Sequence, residues 1–398
     1  MSSGIAIRRV RPLGAPVSDV VIRDGVIAAI GPKAAAGIDD LEVIDGAGRL
    51  LFQGLVDAHT HMDKTLMGMG WRRHEVGPNL LDLIEGERRF RREEGIDAYR
   101  QSTGHAKAAI ATGTTHIRTH VDIDTEIGLA GFEGVKQTQA DLKDSVTIQT
   151  VAFPQSGMLV RPGTVELLED ALRNGADVMG GLDPSTIDRD PKGHLDVVFN
   201  LAEKHDVDID IHLHEPGELG AFSIELIAER TRAIGYQGRV MISHAFALGG
   251  VDDTYLTKLV ELIVENDISI MTHGPGGHRP IPNVKKLHSM GVRLCAGNDG
   301  VRDNWGPLNT FDMLDRAYII AYRNSLRRDD DIENVIHMVS EGGATAIGIE
   351  NYGLEVGNRA DFFLVEGETH VEAMVSRPTR HLVVNGGRIV ARDGEFVE

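Results

Sequence analysis

The chain has 398 residues, 41% hydrophobic and 25% charged, the balance of an ordinary soluble globular protein. Lys and Arg number 41 against 60 Asp and Glu, a net charge of −19, which argues against a nucleic-acid backbone or an anionic membrane as partner because both attract positive charge. The single cysteine, Cys295, excludes an internal disulfide and a cysteine-ligated zinc cluster; with no signal-peptide order at the start and no long apolar run, the expected compartment is the cytoplasm.

In chain order, two β runs within Asp19–Gly31 meet at Asp24-Gly25, a hairpin signal, and Leu41–Ile44 and Arg49–Phe52 add short strands. Eight strand candidates follow: Leu55–His61, His116–Asp122, Thr147–Gln155, Asp177–Asp183, Asp208–Glu215, Val240–His244, Ile268–His273 and Arg293–Asp299. Several are unbroken apolar runs, as in strands covered on both faces of a parallel sheet. Helical patterns lie between them, among them Val165–Asn174, Leu195–His205, Ser223–Ile234 and Tyr255–Glu265. The strongly charged segment Leu80–Gly95 reads as a helix that covers a pocket or meets another subunit. Near the end, Ala360–Val365 is a strand and His381–Val390 a hairpin turning on Asn385-Gly386-Gly387.

Eight βα units imply a (β/α)₈ TIM barrel. A doubly wound open sheet would want a G-x-G-x-x-G loop after its first strand, and Leu55–His61 is followed by none. Each chain end alone is too short to bury a core. Residues 1–52 and 349–398 are therefore expected to join as a small discontinuous β-sandwich domain beside a barrel of residues 53–348.

Barrel chemistry sits at the C-terminal ends of the strands. The histidines, 17 in all, matter by where they fall. His59 and His61 are two apart on the first strand and share a face. Two imidazoles inside a barrel invite a divalent metal, since otherwise they are buried polar groups needing partners. His212 and His214 repeat the spacing, and only one of them need reach a metal. Asp299 offers a carboxylate from the last strand, the neighbour of the first in a closed barrel. Three nitrogens and a carboxylate leave a position open for water, the arrangement of a catalytic site. A lone strand-end Asp is more often a helix cap; the joint pattern over several strands carries the reading. His105, His194, His205, His288, His337, His370 and His381 read as surface or packing residues.

These residues, with Val56-Asp57-Ala58-His59-Thr60-His61, Ile117-Arg118-Thr119-His120, Phe153-Pro154-Gln155, His212-Leu213-His214-Glu215, Ser243-His244, Gly297-Asn298-Asp299-Gly300 and Asp303-Asn304-Trp305, resemble the amidohydrolase superfamily, most of all its cytosine deaminase-like branch. The resemblance covers essentially the whole chain. It implies one divalent metal, Zn²⁺ or Fe²⁺, held by His59, His61, His212 and Asp299. It implies Glu215 as proton shuttle, His244 beside the reacting group, and Gln155 and Trp305 facing the substrate ring. Binuclear relatives carry a Lys at the end of strand four; Val178–Asp183 has none, which favours one metal. Lys64 lies beyond the first strand and is not assigned to the metal. His214 is expected as a pocket wall. His120 either pairs with Asp122 or lines the pocket as a substrate contact.

The expected chemistry is hydrolytic. A bound metal lowers the pKa of water from 15.7 to about 7. Asp299 would take the proton, Glu215 would protonate a ring nitrogen, and a positively poised His244 would stabilise the attacking oxygen. The leading expectation is a deaminase releasing ammonia from an amino-substituted N-heterocycle such as a cytosine-like pyrimidine. The alternative is cleavage of another C–N bond, such as an N-alkylamino-triazine substituent or a cyclic amide. Gly300 favours it, because cytosine deaminase has a second carboxylate there and glycine would leave room; so does the glycine-rich loop His273–Pro280. A non-catalytic metal-binding protein is a further alternative. The zinc deaminase design built on P-C-x-x-C is excluded by the single Cys. The partners expected are a small heterocycle and water, with no nucleic acid and no membrane, in a homo-oligomer.

Overall fold

Eight parallel strands form the centre of the computed structural model, which describes residues 4–398: Leu55–Thr60, Thr114–Asp122, Thr147–Phe153, Val178–Leu182, Asp208–His212, Val240–Ser243, Ser269–Thr272 and Arg293–Ala296. Each pairs with the next in chain order. The first, second, fourth, sixth and seventh are buried along their whole length, which is why their sequences do not alternate. The last strand comes back to the first: the Asp299 N–H donates to the His59 carbonyl at 2.8 Å, and Thr60 and Asp299 form a parallel bridge. The ring is a (β/α)₈ barrel, as the strand series predicts.

Seven of the eight strands end one to three residues sooner than the sequence pattern suggests, the second ending at Asp122 as expected, and the chemistry lies just past the strand ends. His61, Gln155, Asp183, His214, Glu215, His244, His273 and Asp299 all sit in the first residues of the following loops. Helices cover the outside. Asp190 caps Pro191–His205 by accepting the Gly193 N–H at 2.9 Å, and Asp252 caps Asp253–Glu265 by accepting the Tyr255 N–H at 2.9 Å. Leu168, Leu195, Val198, Ile224, Ile227, Leu259 and Ile263 face inward from these helices and are buried against the strands.

Both chain ends join one nine-stranded sheet. Its junction is Leu50–Gln53, which pairs antiparallel with Phe362–Val365 and stacks Phe52 on Phe363 at 5.0 Å. Ile7, Ile22 and Leu51 from the first half share a core with Phe362, Leu382 and Val384 from the second. The two predicted hairpins turn on left-handed pairs, Asp24-Gly25 and Gly386-Gly387, the backbone that two-residue turns require. Among the elements that escape the sequence pattern are the strands Gly4–Pro12 and Glu395–Phe396 and the helix His370–Ser376, which packs against the barrel helices Met313–Arg323 and Asp329–Met338. No helix of the described residues is long and apolar enough to cross a membrane.

Gly297 allows the barrel to close. A Cβ there would lie 2.4–2.6 Å from the oxygen, Cβ and nitrogen of His59. Gly297→Ala should cost at least about 1–3 kcal/mol of stability in urea unfolding, the usual range for overpacking, because the clash is with backbone. A second test uses His105, buried against the Phe311 ring at 4.6 Å with neither nitrogen hydrogen-bonded among the described residues. Burial pushes its pKa down to about 3. The unfolded chain therefore binds a proton there below about pH 6.5 that the folded chain refuses, so stability is lost as pH falls from 6.5 toward 3. Urea unfolding of His105→Leu should show a shallower loss between pH 7 and pH 5 than the parent protein.

Candidate active site

Four side chains converge where the barrel closes. One ligand atom each of His59, His61, His212 and Asp299 lie within 4.8 Å of one another. The Asp299 Oδ1 is 3.3 Å from the His61 Nε2 and 3.7 Å from the His59 Nε2, and the His61 and His212 Nε2 atoms are 3.4 Å apart. The His59 Nε2 is buried without a hydrogen-bond partner among the described residues. Burial drives His61 down to about 3, helped by the Lys64 charge, and drives His212 well below the ordinary imidazole value, helped by the charges of His59 and His120. Burial opposes the charge of Asp299, but the His59 and His61 imidazoles outweigh it and hold the carboxyl well below its usual range. Three converging imidazoles, two of them held neutral by burial, and one carboxylate fit a divalent cation.

Buried groups behind these residues aim them. Ser243 donates to Asp210 at 2.7 Å, so its oxygen accepts from the His59 Nδ1 at 2.9 Å. That fixes the proton on Nδ1 and turns the bare Nε2 inward. Asp57 accepts from the Asn298 backbone at 3.0 Å and from its side-chain amide at 2.9 Å, which seats the residue before Asp299. His120 is fully buried, its Nε2 3.5 Å from Asp210, and it is absent from the cavity lining. The substrate contact expected of it is corrected: it stands behind His59, out of reach of a ring. Its pairing with Asp122 is corrected too, since Asp122 faces Arg91 at 3.0 Å and Lys64 at 3.5 Å.

His214 and His244 stand beside the metal-type set, their rings 5.8 and 5.1 Å from that of His212, and Glu215 lines the cavity next to it. The Glu215 carboxylate accepts the Ser185 and Thr186 N–H groups at 2.8 Å and the Ser223 hydroxyl at 2.6 Å. Burial raises its pKa, and Asp183 adds to the rise against the Ser223 hydrogen bond. His214 lines the cavity, its Nδ1 held by Asp183 at 2.7 Å, and stacks on His244 at 4.4 Å. His244 and Asp299 both hold left-handed backbone, φ +71° and +60°, a strain that functional sites tolerate. The positively poised His244 of the sequence reading is corrected. Burial and the charges of His214 and His273 keep it neutral, with its Nδ1 3.1 Å from the His273 Nδ1. His273 is a site residue that the strand pattern placed but left without a role; its Nε2 is 3.9 Å from Asp299.

The cavity, about 470 Å³, has a charged edge opposite the histidines. Lys64 is 2% exposed and lines it, bonded to the Gln155 Oε1 and 3.4 Å from Glu87, its Nζ 5.1 Å from the Trp305 ring centre. Gln155 lines the cavity as expected, but both ends of its amide are engaged, with Lys64 and with Glu87 at 2.9 Å. Glu87 belongs to the helix Leu80–Glu94, which lies over the barrel mouth. Arg91 clamps that helix to Asp63 at 2.9 Å and to Asp122 at 3.0 Å. Trp305 lines the cavity with its Nε1 buried and unpartnered among the described residues. The space expected at Gly300 is filled: a Cβ there would lie 2.1 Å from the Asp303 Oδ2. Burial pushes Asp303 up to about 7, against the pull of Lys64. Lys64 and Asp303 are named in the sequence reading without a place in the cavity, because neither lies on a strand; a Lys three residues past an H-x-H is the available signal.

The amidohydrolase family model matches residues 98–397. The chain is 33% identical over 388 residues to N-isopropylammelide isopropyl amidohydrolase of Pseudomonas sp. (strain ADP), covering 96% of this chain and 95% of the relative. The crystal structure of N-isopropylammelide isopropylaminohydrolase from Burkholderia multivorans ATCC 17616 superposes with a TM-score of 0.96 at 45% identity, covering 99% of this chain and all of that one. A 5-methylcytosine deaminase from Klebsiella pneumoniae, liganded with 5-fluorocytosine, superposes at 0.85 with 25% identity, covering 99% of both chains.

Metal content checks the donor set. The chelated protein should take up about one equivalent of divalent ion, measured by plasma mass spectrometry, with a rise in Tm. His61→Ala and His212→Ala should lose both the ion and the rise in Tm while staying folded by circular dichroism. Uptake unchanged in either variant would overturn the assignment.

Proposed function

The chain belongs to the amidohydrolase superfamily, and on that premise we propose that this carbon–nitrogen hydrolase removes the N-alkylamino substituent of a triazine or related oxo-substituted N-heterocycle. The observation that carries this is the cavity's donor-rich edge. Lys64 and the unpartnered Trp305 Nε1 suit ring oxygens and a ring that gains negative charge. The two relatives named for N-isopropylammelide support this reading over ammonia release from a cytosine-like ring. The ion is Zn²⁺ or Fe²⁺ in this proposal, and the protein a cytoplasmic homo-oligomer.

A divalent ion held by His59, His61, His212 and Asp299 would supply a water whose pKa falls from 15.7 to about 7. The chain's own groups do the rest. Asp299, ionised, accepts the proton of the attacking water. Glu215, its pKa raised by burial, carries a proton to the ring nitrogen beside the reacting carbon. His244, neutral and rigidly stacked on His214, offers one N–H or one lone pair to the attacking oxygen. Lys64 and Trp305 hold the ring and stabilise the charge it gains. The helix Leu80–Glu94 excludes water from that edge. The amine leaves after a further proton transfer, and the ring carbon becomes a carbonyl.

Product analysis separates the candidates. Incubation with an N-isopropylamino-substituted dioxotriazine should release isopropylamine without ammonia. Ammonia from aminopyrimidines, with no alkylamine from any N-alkyl ring, would overturn the proposal. Glu215→Gln and Asp299→Ala should each lower kcat by roughly 10²–10⁴-fold, the usual scale of a lost acid or base. Unchanged function in both would favour a non-catalytic metal-binding protein.

A further inference from the structure

A second cavity, about 560 Å³, lies beside the first. His214 lines both. Its imidazole is held by Asp183 and backed by the His244 ring, so it stands at a fixed place where the two cavities meet. On the far side apolar side chains stand among polar ones: Leu80 and Leu81 from the start of the covering helix, Ile187 from the loop after the fourth strand and Pro216 from the loop after the fifth, beside Ser185, Thr186 and His278. Glu215 lines this cavity and not the first. Ile187 is buried, whereas Leu81 is 55% exposed and forms the outer lip. The mechanism uses Glu215 and His214 but none of the apolar walls. An exposed leucine beside a concave surface that already touches the catalytic acid marks a place where an apolar group can be buried.

We propose that this second cavity is the subsite for the alkyl group of the departing amine, a short aliphatic chain on the nitrogen that leaves. The inference rests on the N-alkylamino reading and locates the part of the substrate which that reading leaves unplaced. The reacting carbon is bonded both to the ring nitrogen that Glu215 protonates and to the exocyclic nitrogen. A substituent on the exocyclic nitrogen on that side projects past His214. The Lys64 edge of the first cavity is unfavourable for it, because Lys64, Gln155 and Asp303 line that edge with charged and hydrogen-bonding groups that an alkyl chain would strip of their partners. Arg189 and Arg279 also line the second cavity, and they make an anionic chain the rival occupant.

The experiment is a series on one dioxotriazine ring bearing amino, methylamino, ethylamino, isopropylamino, cyclohexylamino or carboxymethylamino groups. kcat/KM should rise along the aliphatic series to isopropyl by roughly tenfold per carbon, the lower end of what an apolar pocket discriminates. Leu81→Trp narrows the lip and should lower the isopropyl-to-methyl ratio about tenfold. Ile187→Ala enlarges the floor and should move the optimum toward cyclohexyl. Calorimetric binding of the same rings to the chelated protein should shift in the same directions, which separates a binding subsite from an effect on chemistry. A preference for carboxymethyl over isopropyl, or ratios unmoved in both variants, overturns the inference while the N-alkylamino reading stands. Failure of the parent protein to turn over any N-alkyl ring overturns that reading and this inference with it.

Discussion

The hydrogen bond from the Asp299 N–H to the His59 carbonyl, 2.8 Å long, joins the last barrel strand to the first. The site depends on that closure. His59 and His61 lie at one end of the chain's barrel segment and Asp299 at the other, and nothing local brings them together. Closure needs close backbone approach, which Gly297 permits by having no Cβ to meet His59. It also needs the residue before the carboxylate held still, which Asp57 does by accepting two hydrogen bonds from Asn298. Burying Asp57 for this purpose pushes its carboxyl up to about 6, so part of the barrel's interior is given over to aligning Asp299.

Charge is distributed unevenly around the cavity. In the metal-type wall burial keeps His61 and His212 neutral, so these two can act as ligands without first losing protons. The opposite wall is ionic. Lys64, Arg91, Glu87, Asp63 and Asp122 form a buried network in which taking away one partner would strand the others. The same network fixes the helix Leu80–Glu94 over the mouth. One set of ion pairs thus does two things: it closes the site from water on that side and positions a cation at the cavity.

Much of this was legible in the chain. The eight strands, the capped helices among them, the hairpins at both ends and the H-x-H, H-x-H-E and N-D patterns follow from period, turn chemistry and residue type. What was not legible has physical causes. The sheet strand Gly4–Pro12 is broken by a register shift between Ile7 and Val10, which blurs its alternation. Lys64 and Asp303 sit in irregular segments, where no periodicity says which way a side chain points. Gly300 shows the limit from the other side: the missing side chain was plain, but not that a carboxylate three residues on would occupy its space.

The sequence by itself determined the kind of fold and the donor types, because strand period and ligand chemistry are local properties of a few neighbouring residues. It also determined that a carboxylate follows His212 by three positions. Only the tertiary structure decided the protonation and the wiring. His244 is neutral because three other histidines and the protein interior surround it, and His120 is withdrawn behind His59 because Asp210 holds it there. The second cavity beyond His214 exists only because a helix from one loop and segments of three others, after the fourth, fifth and seventh strands, meet above the barrel. Those are facts of packing between distant segments, and no local pattern encodes them.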